Sequence, residues 1–301
     1  MSRTIPTELV PYLRQPPAMQ AGSTGKFGEL ELYFEAVPSG KTVLRHLYRR
    51  APLIVQQALY FDEELPTMPC VYILSSGGPN VDGDRYRQEF RLAESAMAHI
   101  STGAATKIAP MLYNHASLRQ DITLADNAYL EYLPEPTIPC RGARYRSECR
   151  ITIAPTATLF YSEIYTSGRR YHNDESFSYD LLSLSTSARR DSGEELFSEK
   201  MVIQPHTTPP QSRWVMEHYN TFATIFILTA KEHIDKIYNQ IQSYKGNETA
   251  LGISHLPSDC GLVCRILSTR SDRAKEMVRE ICSVVRKEIK GRSLPEEFPW
   301  R

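Results

Sequence analysis

Apolar and charged residues alternate from Gly28 to Val37, with Leu30, Leu32 and Phe34 set against Glu29, Glu31 and Glu35. That two-residue period predicts a half-buried strand. Pro38-Ser39-Gly40 turns it into a second strand from Thr42, so a hairpin opens the fold. Short strand-like runs follow at Ala51 to Tyr60, Cys70 to Leu74, Tyr86 to Glu94, His99 to Lys107, Asp121 to Leu124, Tyr129 to Leu133, Ile151 to Ile153 and Ala157 to Tyr165. Each is ended by turn chemistry, and no helical pattern intervenes before the last third. This spacing predicts layered β-structure and not alternating strand–helix units. Lys200 to Gln204 and Arg213 to Leu228 continue the series, and no repeat of fixed length is visible.

The last third changes period. Thr229-Ala-Lys-Glu232 reads as a capping box, with Ala230, Ile234, Ile237, Tyr238, Ile241 and Tyr244 at helical spacing and Gly246 as the stop. A second helix is predicted from Asp272 to about Lys290. Ala274, Met277, Val278, Ile281, Val285 and Ile289 form one face, and Gly291 lies just beyond. The expected fold is therefore mainly β, of the α+β kind, with two C-terminal helices packed on the sheets. Residues 1–26, with Pro6, Pro11, Pro16 and Pro17, are expected as a flexible arm, and residues 27–301 as a single domain.

With 301 residues and 41% hydrophobic content the chain can bury a sizeable core. Lys plus Arg and Asp plus Glu balance at 35 each, so there is no net field to gather nucleic acid or an anionic membrane. Residues 1–24 contain no apolar signal segment, and the longest apolar run, near 221–228, is far shorter than the ~20 residues of a membrane helix. A cytoplasmic protein is expected. The six cysteines form no Cys-x-x-Cys pair, which suits reduced thiols. Cys260 and Cys264 flank Gly-Leu-Val and are expected in the core.

Two loops carry candidate chemistry. Ser75 to Asp84 combines Gly77, Gly78 and Gly83 with Pro79 and the carboxylates Asp82 and Asp84, hard oxygen donors on a shaped backbone. It lacks the Lys-Ser/Thr pair and following helix of a nucleotide-binding loop. Gly168 to Phe177 holds His172, Asp174 and Glu175, which form either a metal site or a solvated loop. Glu131-Tyr-Leu-Pro-Glu-Pro-Thr-Ile-Pro139 places three prolines at a strand end, a rigid stretch suited to docking.

These residues together resemble a known family. Gly28-Glu-Leu, Gly40-Lys-Thr-Val-Leu, Ala51-Pro-Leu-Ile-Val-Gln, Ser76-Gly-Gly with Gly83-Asp, Thr102-Gly-Ala-Ala-Thr-Lys, Leu130-Glu-Tyr-Leu-Pro-Glu-Pro and Ser167-Gly-Arg with Glu175-Ser-Phe stand in the order and spacing of the urease accessory protein UreD, or UreH, family. The resemblance is dense from Gly28 to Phe177 and continues more weakly through Asp259 to Arg265. It implies stacked, β-helix-like layers with two α-helices, and a chaperone, not an enzyme. It further implies binding to apo-urease and to the partner UreF, through which the GTPase UreG joins. The complex would deliver Ni²⁺ to the urease dinickel site, the ion passing transiently through an internal passage, with no tightly bound cofactor. Matching the motifs residue by residue puts Asp84 and Glu175 on that path. Asp174 stands where the family pattern has glycine, and Pro79-Asn80 follows Gly78, so the backbone near both carboxylates departs from the pattern. The other reading is a β-helical enzyme using Asp82, Asp84 and Glu175 as acid and base, which needs one carboxyl of raised pKa. A nickel store would need clustered ligands, and the eight histidines are scattered.

Overall fold

The computed structural model describes residues 5–14, 25–213 and 215–295. A 3-10 helix (Thr7–Tyr12) precedes β1 (Phe27–Ala36), β2 (Thr42–Arg50), β3 (Leu53–Ile54), β4 (Cys70–Ser75), β5 (Arg85–Leu92) and β6 (Met97–Thr102). Next come β7 (Thr106–Ile108), β8 (Ala116–Leu124), β9 (Tyr129–Leu133), β10 (Thr137–Pro139), β11 (Arg144–Ile153) and β12 (Thr158–Thr166). The chain closes with β13 (Leu181–Arg189), β14 (Glu195–Ile203), β15 (Thr221–Leu228), α1 (Lys231–Tyr238), β16 (Tyr244–Lys245), β17 (Thr249–His255), β18 (Gly261–Ser268) and α2 (Ser271–Lys290).

Two sheets face each other. The first has the order β14-β13-β11-β8-β5-β1-β2, the second β16-β17-β18-β15-β12-β9-β6-β4-β3 with β10 and β7 alongside. Strands β1, β5, β8, β11 and β13 are parallel neighbours, as are β4, β6, β9 and β12. Parallel neighbours require a long crossover, normally a helix. Here each crossover is a strand in the opposite sheet, so β5 to β12 wind as a coil of stacked turns. The expected β-helix-like layering is what the chain builds, and the opening hairpin pairs β1 with β2.

The tight corners of the coil carry a pattern. Ala93-Glu-Ser-Ala96, Ala125-Asp-Asn-Ala128 and Ala154-Pro-Thr-Ala157 each close a turn by a hydrogen bond from the last alanine's amide to the first alanine's carbonyl, at 3.1, 3.1 and 3.2 Å. Stacked turns leave no room for larger side chains: Ala96, Ala128 and Ala157 are at most 1% exposed. Polar tips tie one rung to the next, with the Ser95 amide donating to the Asp126 carbonyl and the Asn127 amide to Thr156 Oγ1. The repeat is real although its period is uneven, with starts at 93, 125 and 154. Uneven wide loops on the other side of each turn hide it from a fixed-length comparison.

Both helices pack on the outer face of the second sheet, where Ile234, Ile237, Ala274, Val278, Ile281 and Val285 join the residues of β15 and β18 that face away from the first sheet. Helix α2 ends at Gly291 in the left-handed region, φ 70°, as its position predicts. Helix α1 differs from expectation. Its capping box does not form: Thr229 spends its hydroxyl on Thr158 at 2.8 Å, and Ala230 takes the cap position with no side-chain bond. The helix stops at Tyr238, and Tyr244 enters β16. The expected strands at 51–60 and 213–228 shrink to Leu53–Ile54 and Thr221–Leu228, while β13 and β17 had no clear sequence signal. All six cysteines are buried and free.

Of the expected arm, residues 5–14 and 25–26 are described, and the first of these segments is docked. Leu9 is 1% exposed, Glu8 accepts from Ser183 Oγ at 2.7 Å and pairs with Lys200 at 2.8 Å, and Asn114 Nδ2 donates to the Arg14 carbonyl at 2.9 Å. Apolar Leu9 within a proline-flanked stretch gives a two-turn anchor that proline content alone does not suggest.

Candidate functional site

The wide corners of the coil are where the family-like motifs meet. Residues 76–84 join β4 to β5, 103–115 lead from β6 through β7 to β8, 134–143 lead from β9 through β10 to β11, and 167–180 join β12 to β13. Each crosses from the second sheet to the first, so they stack on one side. The Asn80 amide donates to the Lys107 carbonyl at 2.8 Å, the Thr106 amide to the Pro136 carbonyl at 3.0 Å, and β10 pairs with β7 from Thr137 and Thr106 onward.

Behind these corners, between the sheets, lies a partly open cavity of about 610 Å³. It lies where two inter-sheet clusters stop short of each other, Tyr86 and Tyr132 belonging to one and Tyr145 and Tyr165 to the other. Its cause is a polar strip on inward positions. Gln88 on β5 pairs with Gln120 on β8, Ser147 on β11 stands two residues along beside Leu118, and Glu163 on β12 faces Ser147. Gln120 Nε2 donates to Gln88 Oε1 at 2.9 Å, and Tyr161 Oη donates to Gln120 Oε1 at 2.8 Å. Polar groups at such positions keep water or find each other instead of closing the gap.

Glu163 is the exceptional member. It is half-buried, with protein around it and its remaining surface turned to the cavity. Its Oε1 accepts from Ser147 Oγ at 3.1 Å and Tyr165 Oη at 3.2 Å, and it has no cationic partner among the described residues. Burial raises its carboxyl above the ordinary range, against the opposing hydrogen bonds from Ser147 and its tyrosine neighbours. Arg265, two strands away across Thr224, is bonded to Thr224 and Glu199 instead. The second cavity carboxylate, Glu135, is held by Lys275 of α2 at 2.6 and 2.8 Å.

Neither sequence-predicted carboxylate lines this cavity. Asp84 is fully buried and accepts from the Lys26 amide at 2.9 Å, the Val81 amide at 3.0 Å and Tyr86 Oη at 3.0 Å. It thus reaches the cavity only through Tyr86. Glu175 is clamped by Arg169 through Nε at 2.8 Å and Nη2 at 2.7 Å, which holds its carboxyl below the usual range. Asp82, 6% exposed, accepts from the amides of Leu112, Tyr113 and Asn114 at 3.0, 2.8 and 2.6 Å. The three carboxylates of the enzyme reading are therefore spent on backbone and arginine, and Glu175 has its pKa moved the wrong way for an acid catalyst. Among the described residues no three of His, Cys, Asp and Glu are placed to hold a metal, so His172, Asp174 and Glu175 do not converge as ligands.

Sequence comparison decides the family. The family description UreD urease accessory protein matches residues 26–301. The chain belongs to the UreD family. It is 41% identical over 296 residues to Urease accessory protein UreD 2 of Brucella suis biovar 1 (strain 1330), covering 97% of this chain and 98% of that one. It is 40% identical over 298 residues to Urease accessory protein UreD of Yersinia pseudotuberculosis serotype O:3 (strain YPIII), covering 98% and 92%. This UreD-family chain is accordingly an accessory protein and not an enzyme. Among its described residues no helix is long and apolar enough to cross a membrane.

The residues that sequence reasoning missed are Gln88, Gln120, Ser147 and Glu163. A signal existed: in Thr158 to Thr166 the inward positions read Leu159, Tyr161, Glu163, Tyr165, so one carboxylate interrupts an apolar face.

Proposed function

We propose that this chain acts in urease maturation in the cytoplasm. It binds apo-urease and the partner UreF, through which the GTPase UreG joins, and Ni²⁺ bound for the dinickel site passes through the inter-sheet cavity. The observation that supports this most directly is the cavity itself, lined by Gln88, Gln120 and hydroxyl groups, two of which bond Glu163, which carries no cationic partner among the described residues. Nickel stands high in the affinity order for divalent ions, so clustered thiolates and imidazoles would trap it, whereas one carboxylate among neutral oxygens admits and releases it. Asp84 and Glu175 enter the proposal as supports of the path, Asp84 behind Tyr86 and Glu175 closing the loop over the last corner.

The test is co-expression of the urease subunits and the other accessory proteins with the wild-type chain, with Glu163→Gln, or without the chain. The expected result is nickel-poor, inactive urease without the chain, and reduced nickel content with Glu163→Gln although the accessory complex still assembles. Urease fully loaded without the chain would overturn the maturation reading; full loading with Glu163→Gln would remove the cavity carboxylate from the path.

A further inference from the structure

The second sheet is interrupted beside the cavity. Strand β9 ends at Leu133 and β10 begins at Thr137, so Pro134, Glu135 and Pro136 leave the ladder opposite Ser162 to Ile164. Side chains bridge the break: Ser162 Oγ donates to the Tyr132 carbonyl at 3.0 Å, Ser101 Oγ to the Leu133 carbonyl at 2.7 Å, and the Glu135 amide to Thr102 Oγ1 at 2.8 Å. On the far side, under α2, lies a second void of about 20 Å³ bordered by Lys275 and Val278. Pro134 and Ile164 line both the void and the cavity, so only this break separates them. A void of that size holds about one water and not a hydrated divalent ion.

Helix α2 is fixed unequally over the break. Near its C-terminal end Arg286, fully buried, is bonded to Glu131 at 2.6 and 2.7 Å and to Asp62 at 2.5 Å. Near its start the corresponding tie is Lys275 on Glu135, with side chains 24% and 16% exposed. An ammonium on a flexible stem releases a carboxylate far more readily than a guanidinium fork does.

We propose that the break at Pro134 to Pro136 is a side mouth of the cavity, and that Lys275 is its latch. A hydrated divalent cation arriving from the cavity competes for Glu135, frees the lysine and widens the mouth, while Arg286 keeps α2 attached. This rests on the cation-path reading above and adds to it where the path opens and what closes it.

The experiment uses the full chain labelled with ¹³C-tyrosine and Mn²⁺ as a paramagnetic probe, reading line broadening of Tyr86, Tyr132 and Tyr165 in the cavity against exposed Tyr171. Removing a competing ammonium worth a partly exposed ion pair lowers the Mn²⁺ needed to half-broaden the cavity tyrosines roughly two- to fivefold in Lys275→Gln, with Tyr171 unchanged. Lys275→Arg, a firmer latch, raises it. Equal broadening of the cavity tyrosines in all three proteins overturns the latch and leaves the path standing. Broadening of Tyr171 with none in the cavity of any of the three overturns the path and the latch together.

Discussion

Replacing Arg286 by methionine isolates the largest electrostatic commitment in the fold. The native guanidinium, 0% exposed, faces Glu131 and Asp62, both also enclosed, while His99 Nδ1 lies 2.8 Å from Glu131 Oε2 and Tyr129 Oη donates to Glu131 Oε1 at 2.5 Å. Burial alone would raise Glu131; Arg286 and then His99 outweigh it and hold the carboxyl well below its ordinary range. Removing one partner of a buried pair leaves an uncompensated charge, at a cost of about 3–5 kcal/mol. At ~2–4 °C per kcal/mol this lowers the thermal midpoint by about 10 °C. The sign with pH is equally specific. In the native chain Glu131 contributes stability above its unfolded pKa of 4.5, and that stability is lost as pH falls through the depressed folded value. In Arg286→Met burial is left without its main counterweight and makes the Glu131 carboxyl harder to ionise than in the unfolded chain, so mild acid stabilises instead. Denaturant unfolding at pH 7.5 and 5.0 measures both effects, with a third protein, Arg286→Met combined with Glu131→Gln and Asp62→Asn, as the control. Neutralising all three groups should restore at least half of the loss. If the triple variant is less stable than the single one, the cost lies in packing and the reasoning from stranded charge is refuted.

Two further outcomes follow from particular groups. Burial, and then the nearby Arg85, push His115 down to about 4 from 6.5, although the Tyr12 carbonyl and Asp82 work the other way. The fold therefore prefers the neutral ring: its contribution is complete above pH 6.5 and declines as pH falls toward 4. His115→Gln should show about 2 kcal/mol less loss of unfolding free energy at pH 5 than the wild type, each measured relative to pH 7.5; parallel losses in the two proteins would dismiss His115 as the cause. At Gly168, φ is 132° and a Cβ would collide with the Glu175 carbonyl oxygen. Gly168→Ala should cost about 2–4 kcal/mol and loosen the Arg169–Glu175 clamp, seen as faster amide exchange at Arg141, whose amide donates to Glu175 at 3.3 Å; unchanged exchange there would show that the loop does not depend on this approach.

Local periodicity made the strands and α2 legible because both signals are short-ranged: alternation places Leu30, Leu32 and Phe34 inward, and the stripe from Ala274 to Val285 meets the second sheet. Beyond the opening hairpin, pairing was legible only through resemblance. Nothing in β5, β8 and β11 separately states that they are parallel neighbours, since the crossovers are strands 30 or so residues apart and the corner alanines recur without a fixed period. Helix α1 was overread for a related reason. Thr229 satisfies the capping pattern in sequence, but a tertiary partner, Thr158, claims its hydroxyl.

The corner loops were legible in the sequence, and the cavity between the sheets was not. Glycines and exposed-looking aspartates drew attention to the corner loops, and those loops do border the cavity through Gly78, Pro79 and Asn80. Yet carboxylates that look free in sequence are the ones a loop consumes: Asp82 and Asp84 collect five backbone amides between them, and Glu175 takes an arginine. A carboxylate inside a strand attracts no notice, because half of all strand positions face water. Only knowing that β12 is covered on both faces, by the first sheet and by α2, turns Glu163 from an ordinary surface residue into a half-buried acid without a cationic partner among the described residues. For the ion path proposed above, that inversion is physically reasonable. On that proposal, the groups left to meet the ion are those the fold has not used to hold itself together.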